Sequence, residues 1–162
     1  MLAAIASGCA PREPAPTEPT PDATTPQRAC TEIGCIDGLR VIMQKTASWQ
    51  SGTYEFAFDI DGTDVSCKGS LPLPACDQGP GLKCDVADKV QITEAGCALP
   101  ADQHGFGDMG FDGEPTRVKI SVRHEGKEIH AEELSPSYKI LQPNGEGCEP
   151  TCNSATAEIK IP

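Results

Sequence analysis

The sequence predicts an all-β domain, an antiparallel β-sandwich of seven or eight short strands that is held together by disulfides. Apolar residues alternate with polar or small ones at a period of two in several segments, and this alternation is typical of strands with one face in water. The segments begin at Leu39, Tyr54, Val90, Val118 and Ala155. The 16 Gly and 15 Pro of the chain supply turns between short strands and argue against a helical bundle.

One strand pair is predicted as a β-hairpin that turns at Asp61-Gly62, a dipeptide favoured in two-residue turns. Pairing outward from the turn sets apolar residues opposite each other on one face and opposite charges on the other, so the register is self-consistent. The predicted pairs are Phe58 with Val65, Phe56 with Cys67, and Glu55 with Lys68.

A second hairpin is predicted to turn at Glu125-Gly126. The same procedure places two apolar pairs on the inner face and two charge pairs outside, with His130 pointing outward opposite Ser121. The inner pairs are Val122 with Ile129 and Ile120 with Ala131, and the outer pairs are Arg123 with Glu128 and Lys119 with Glu132. The Gly-rich segment 105–113 is predicted to be a flexible connection whose two Phe residues plug the end of the sandwich. A loop that cradles a ligand is the alternative.

The chain has nine cysteines in 162 residues and no CxxC motif, which favours disulfides in an oxidising compartment over a zinc ribbon or a redox pair. Short loops predict the bridges Cys148–Cys152 and Cys76–Cys84. Cys30–Cys35 and Cys67–Cys97 follow by elimination, although eight cysteines allow 105 connectivities. Cys9 is the one cysteine that this scheme leaves over.

Residues 1–9 end an apolar stretch with small residues, as a secretory signal does. Ala6-Ser7-Gly8-Cys9 resembles a bacterial lipobox, which implies that Cys9 is lipidated; a signal remnant without lipid is the alternative. Residues 10–29 contain six Pro, four Thr and four Ala. This composition predicts a disordered tether that reaches roughly 60 Å when extended. The β-domain then spans residues 30–162.

The carboxyl end resembles the last two strands of fibronectin type III and immunoglobulin-like domains, in which a Tyr-containing strand reaches an Asn-Gly turn before the closing strand. The resemblance rests on Tyr138-Lys139-Ile140, Asn144-Gly145 and Ala157-Glu158-Ile159 and implies an immunoglobulin-like sandwich. The order of lipobox, Pro/Thr tether and cysteine-bearing β-domain also resembles uncharacterised cysteine-rich lipoproteins of myxobacteria and their relatives. In enterobacterial lipoproteins an Asp after the lipidated cysteine is the signal for retention in the inner membrane. Because Ala10, not Asp, follows Cys9, the lipoprotein resemblance implies the outer membrane or cell surface as the destination.

Three acidic residues of the first hairpin are candidate calcium ligands, because the register sets Asp59 opposite Asp64 with Asp61 at the turn. A solvated turn that tolerates the repulsion is the alternative. The same segment resembles the DxDGT motif of haloacid-dehalogenase-type phosphatases. However, only 46 residues separate Asp61 from Asp108, too few for the parallel sheet that such an enzyme requires.

The formal net charge of −11 argues against nucleic acid and anionic membrane surfaces as partners. The three histidines, His104, His124 and His130, lie in separate predicted elements and are not expected to form a zinc site. We therefore expect a non-enzymatic binding or structural role, with a protein or glycan as ligand and no cofactor other than calcium. A small extracytoplasmic hydrolase that uses the acidic loops is the alternative.

Overall fold

A computed structural model describes residues 29–162, which form ten strands in two five-stranded sheets. The strands are β1 (Gly38–Lys45), β2 (Gly52–Ile60), β3 (Thr63–Leu71), β4 (Lys83–Cys84), β5 (Val90–Ala95), β6 (Gly105–Phe111), β7 (Val118–His124), β8 (Lys127–Leu134), β9 (Lys139–Leu141) and β10 (Cys152–Ile161). The first sheet has the order β5-β6-β1-β10-β9 and the second the order β4-β3-β2-β7-β8. The predicted β-sandwich is confirmed. It has more strands than expected, because β4 is only two residues long and too short to show alternation, and because β6 forms where a connection was predicted.

The core lies between the two sheets and is built from the apolar positions of the alternating segments. Phe106 of the first sheet meets Tyr54 and Phe56 of the second edge-on, with ring centroids 5.4 and 5.2 Å apart. Phe111 meets Phe58 in the same way at 5.4 Å. Trp49 closes one edge of this cluster, where its Nε1 donates to the carbonyl of Phe106 at 3.0 Å.

The Gly-rich segment is not a flexible connection, and that prediction was wrong. Residues Gly105–Phe111 form strand β6, which lies between β5 and β1. Phe106, Met109 and Phe111 fill the core instead of plugging its end. The glycine at 105 makes room for the indole, because a Cβ there would lie 2.3 Å from Cδ1 of Trp49. Glycine in this strand thus serves close packing.

The first hairpin has the predicted register, including Phe58 opposite Val65 and Asp59 opposite Asp64. Its turn residues Asp61 and Gly62 have φ of 50° and 87°, the left-handed values that a tight two-residue hairpin turn requires.

The second hairpin pairs as predicted only next to its turn, where Arg123 faces Glu128. A β-bulge then inserts Ile129 as an extra residue, so the pairs beyond it shift by one position and that part of the prediction was wrong. The observed pairs are Val122 with His130, Ser121 with Ala131, Ile120 with Glu132, and Lys119 with Glu133. His130 is therefore on the inner side of edge strand β8, with 11% of its side chain exposed, and does not point outward. Bulges and inward-facing charges are common on edge strands, where they discourage pairing with other chains.

All eight cysteines of residues 30–162 form disulfides, but the four predicted pairings were wrong. The observed bridges are Cys30–Cys148, Cys35–Cys152, Cys67–Cys84 and Cys76–Cys97. Two of them join cysteines 118 and 117 positions apart. Loop length in the sequence is a poor guide to these bridges, because the sandwich brings the start of the domain beside the start of its last strand.

That proximity also explains why one strand pair is parallel in a sandwich predicted to be antiparallel. Strands β1 and β10 pair in parallel over eight positions, from Gly38 opposite Ser154 to Lys45 opposite Ile161. The bridges from Cys30 and Cys35 hold the segment before β1 against the segment that leads into β10. The two strands therefore begin side by side and run in the same direction.

Replacing Met109 by Ala tests the assignment of the Gly-rich segment to the core. Met109 is fully buried between Val41 of β1 and Ile92 of β5. We expect the variant to lose about 2–5 kcal/mol of unfolding free energy, because such a truncation leaves a cavity. Gln91→Ala, an exposed site on the neighbouring strand, should change it by less than about 0.5 kcal/mol. Chemical denaturation measures both, and equal effects of the two substitutions would contradict the assignment.

Candidate binding surface

The outer face of the second sheet carries a shallow trough with a floor of small side chains. Ser66, Ala57, Ser121 and Ala131 are paired in register across β3, β2, β7 and β8. A row across four strands is about 14 Å long at the usual strand spacing. The open depression over Ala57, Ser121 and Ala131 has a volume of about 490 Å³.

Charged side chains border the trough on both sides. One border is the register row Asp64, Asp59, Lys119 and Glu133, and the other is Lys68, Glu55, Arg123 and Glu128. Some of these charges form ion pairs: Lys119 Nζ lies 3.7 Å from Asp59 and 3.9 Å from Glu133, and Lys68 Nζ lies 3.5 Å from Glu55. Glu128 instead accepts a hydrogen bond of 2.9 Å from the hydroxyl of Ser121. The two borders are four residues apart along β3, β2 and β7, or about 13 Å, and five apart along β8, where the bulge adds one residue. This spacing suits one extended chain lying across the strands.

Aromatic side chains do not line the trough in the described part of the chain. The core and its edge take up Tyr54, Phe56, Phe58, Phe106 and Phe111, together with Trp49. Tyr138 packs against the same core and donates its hydroxyl to the carbonyl of Pro115 at 2.9 Å. Without a ring to stack on a sugar, this floor suits a polar backbone better than a pyranose.

Two of the three candidate calcium ligands, Asp59 and Asp61, already interact with N–H groups, a hydroxyl or cations of the protein. Asp59 accepts a hydrogen bond of 2.7 Å from the backbone N–H of Gly62 and lies 3.8 Å from a guanidinium nitrogen of Arg117. Asp61 points to the loop before β7, where it accepts bonds from both the N–H and the hydroxyl of Thr116 and from the N–H of Arg117. Asp64 faces Asp59 as expected. Calcium binding by these residues stays a prediction.

These hydrogen bonds lower the pKa of Asp61, chiefly through the hydroxyl and then the N–H of Thr116, because they stabilise the carboxylate. The neighbouring Tyr138 responds in the opposite sense. Burial, followed by the negative charges of Glu114 and Asp61, raises the pKa of Tyr138 to about 12. Its phenol therefore stays neutral and continues to donate to Pro115.

The histidines lie in three separate places. His104 is buried, where its Nδ1 accepts the N–H of Leu73 and its Nε2 contacts the carbonyl of Leu99, both at 2.9 Å. His124 stacks on Tyr54 at 4.5 Å, and His130 lies 3.4 Å from Glu132. Within residues 29–162, no three His, Cys, Asp or Glu side chains are grouped as a metal site would require.

The acidic residues that suggested a phosphatase motif lie on different sheets. Asp59 is on β2 of the second sheet, whereas Asp108 is on β6 of the first sheet, where it forms an ion pair with Arg40. The strand that leads to Asp61 is antiparallel to both of its neighbours.

Sequence reasoning missed the trough, although part of its signal is visible. The correct register of the first hairpin places Ala57 and Ser66 opposite each other on the outer face. The bulge concealed the rest, because Ala131 was expected on the inner face opposite Ile120 and in fact faces Ser121.

Comparisons with protein-family models, with characterised proteins and with solved structures find no match for this chain. In the described part of the chain, no helix has the length and apolar character needed to cross a bilayer. The four disulfides indicate an oxidising, extracytoplasmic environment.

Replacing Asp61 by Asn tests the hydrogen-bonded carboxylate. A pKa that folding lowers contributes stability above the unfolded value of about 3.9, and that contribution is lost as the pH falls through the folded pKa. We expect Asp61→Asn to lower the melting temperature at neutral pH, because an amide NH₂ cannot accept all three bonds. The difference from the parent protein should shrink as the pH falls below about 4.

Thermal melts between neutral and acidic pH measure this difference, with Asp64→Asn on the same hairpin as the control. The control should alter the melting temperature less at neutral pH. A loss in Asp61→Asn that is the same at every pH would contradict the role of the carboxylate charge.

Proposed function

We propose that the protein is a lipoprotein of the outer membrane or cell surface, lipid-anchored at Cys9, whose β-sandwich has a non-enzymatic binding or structural role. The pairing of the cysteines carries this proposal. All eight cysteines of the domain are bonded to each other, so Cys9 is the one cysteine of the sequence outside the four disulfides. It follows Ala6-Ser7-Gly8, the lipobox-like residues, and lies outside the described residues together with positions 10–28 of the proposed tether.

The attachment of the amino-terminal segment supports a role in which the domain is held from that end. Tension that enters at Ala29 passes through Cys30–Cys148 and Cys35–Cys152 to the start of β10. The hydrogen bonds of β1 therefore do not have to carry it. Asn144 strengthens the same attachment, since its amide accepts from the N–H of Ile33 and donates to the carbonyl of Ile33, each at 2.9 Å.

The trough on the second sheet supports binding of an extended peptide rather than a glycan. Its floor of small side chains leaves room for the backbone of a bound peptide, and its charged borders can pair with charged side chains of that peptide. In the described residues it has no aromatic side chain on which a sugar could stack. The separation of Asp59 and Asp108 on different sheets supports a binding role over the hydrolase alternative.

Metabolic labelling with palmitate tests the anchor in cells that express the chain behind a complete signal. We expect the parent protein to incorporate label at Cys9. We also expect it to partition into detergent, because stable anchoring needs more than one acyl chain and the proposed anchor supplies them. Cys9→Ser should abolish both properties, since the acyl chains attach through the sulfur. Ser7→Ala, which changes the lipobox but keeps the sulfur, is the matched control. If Cys9→Ser is labelled like the parent, Cys9 is not the anchor.

A further inference from the structure

Four exposed aliphatic side chains lie at one corner of the sandwich. Their exposed fractions are 55% for Ile33, 84% for Ile36, 73% for Ile140 and 44% for Leu141. In the described residues only one other large apolar side chain is exposed, Leu99 at 53%. Exposed apolar residues that cluster, unlike scattered ones, mark a site of interaction.

The disulfide Cys35–Cys152 brings the four residues together. Ile36 directly follows Cys35, and Leu141 of β9 is paired with Cys152 of β10. Ile140 pairs with the next residue of β10, so its side chain leaves edge strand β9 on the face opposite to that of Leu141. The backbone of Ile33 is hydrogen-bonded to Asn144, three positions after Leu141. We name this set, Ile33, Ile36, Ile140 and Leu141, the aliphatic corner.

The aliphatic corner is held in place by covalent and hydrogen bonds. Cys30–Cys148 lies on the amino-terminal side of Ile33, and the Ser154 hydroxyl donates to the carbonyl of Ile36. The N–H of Asn153 donates to Asp37 at 2.7 Å. These bonds present the side chains to solvent in a defined arrangement, so they are not the result of a frayed end.

We propose that the aliphatic corner meets edge-on the lipid surface that holds the anchor, so that side chains on both faces of edge strand β9 reach the boundary between headgroups and acyl chains. This inference rests on the proposed lipid anchor at Cys9. The corner lies near the start of the domain, and only 23 residues separate Ile33 from Cys9. A chain of that length spans at most about 80 Å. Covalent attachment makes contact with the membrane intramolecular, so even a weak apolar contact is populated.

A second copy of the chain fits this surface less well. A stable dimer buries about 800 Å² on each partner, which is more than four partly exposed side chains supply. The border of the corner is acidic overall, because Glu32, Asp37 and Glu149 are exposed beside it against one exposed base, Lys139. A symmetric dimer would set these like charges close to their own copies. The same charges favour zwitterionic over anionic headgroups.

Hydrogen–deuterium exchange on vesicle-bound protein tests the contact. The full chain is coupled through the Cys9 thiol to a maleimide phospholipid in phosphatidylcholine vesicles, so the test does not depend on natural lipidation. We expect amides in 30–37 and 138–142 to exchange roughly threefold or more slowly after coupling. Amides of the hairpin 52–71, on the other sheet, should not change.

Matched variants separate the corner from general crowding at the vesicle surface. Ile36→Ser combined with Ile140→Ser should remove the protection, whereas Leu99→Ser, the exposed aliphatic residue outside the corner, should keep it. Ile36→Ser alone should reduce it if the double variant does not fold. Equal exchange before and after coupling overturns the proposal, as does protection that appears without lipid when the protein concentration rises. A failure of palmitate labelling would instead contradict the anchor alone.

Discussion

Two disulfides that join the start of the domain to the chain entering its last strand, Cys30–Cys148 and Cys35–Cys152, are the constraint on which the rest of the structure depends. Closing a loop of about 100 residues removes roughly 4–5 kcal/mol of unfolded-state entropy in the chain-entropy model. This is comparable to the whole stability of many domains. The bridges align β1 with β10 in parallel, which places β1 at the centre of its sheet, where β6 pairs with its other edge.

The opposite side of the sandwich is closed in a similar way, by a crossover between the two sheets. Cys76–Cys97 ties the segment after β3 to the segment after β5. Buried His104 accepts the N–H of Leu73, and Glu94 accepts the N–H groups of Gly81 and Leu82 at 3.1 and 2.5 Å. Side-chain acceptors thus satisfy backbone donors that belong to no strand ladder, as burial requires. Covalent and polar links supplement an apolar core that is small for 134 described residues.

Local pattern was sufficient for the parts of the fold that depend on neighbours in sequence. The alternation from Tyr54 to Phe58 and the turn at Asp61-Gly62 predicted a hairpin whose register is confirmed. The predicted register of the second hairpin is wrong beyond Arg123, because the alternation of apolar and polar residues does not reveal a bulge. The prediction for the Gly-rich strand failed because Gly105 and Gly107 make room for the side chains of Trp49 and Thr93, which are not neighbours in sequence.

The disulfides and the trough depend on contacts that no short pattern encodes. Only four residues lie between Cys30 and Cys35, whereas the true partner of Cys30, Cys148, is 118 positions away. Loop length therefore favoured the wrong bridge. The trough requires β3, β2, β7 and β8 to be in register, and the register of β8 against β7 depends on the bulge. Among the functional features, the lipobox-like segment alone is read from local sequence, and the aliphatic corner exists only once Cys35 meets Cys152.

The account of a domain fastened at its amino-terminal end is tested most directly by mapping the bridges in the unreduced protein with a glutamate-specific protease. Cleavage after Glu32 separates Cys30 from Cys35, while Cys148 and Cys152 stay on fragment 147–158, since Pro150 protects Glu149 from cleavage. Pro14 and Pro19 protect Glu13 and Glu18 in the same way, so Cys30 lies on the amino-terminal fragment that ends at Glu32. The structure predicts one species in which this fragment is joined to fragments 33–55 and 147–158 until they are reduced. The amino-terminal fragment joined only to 33–55, with 147–158 released on its own, would show local bridges and contradict the account.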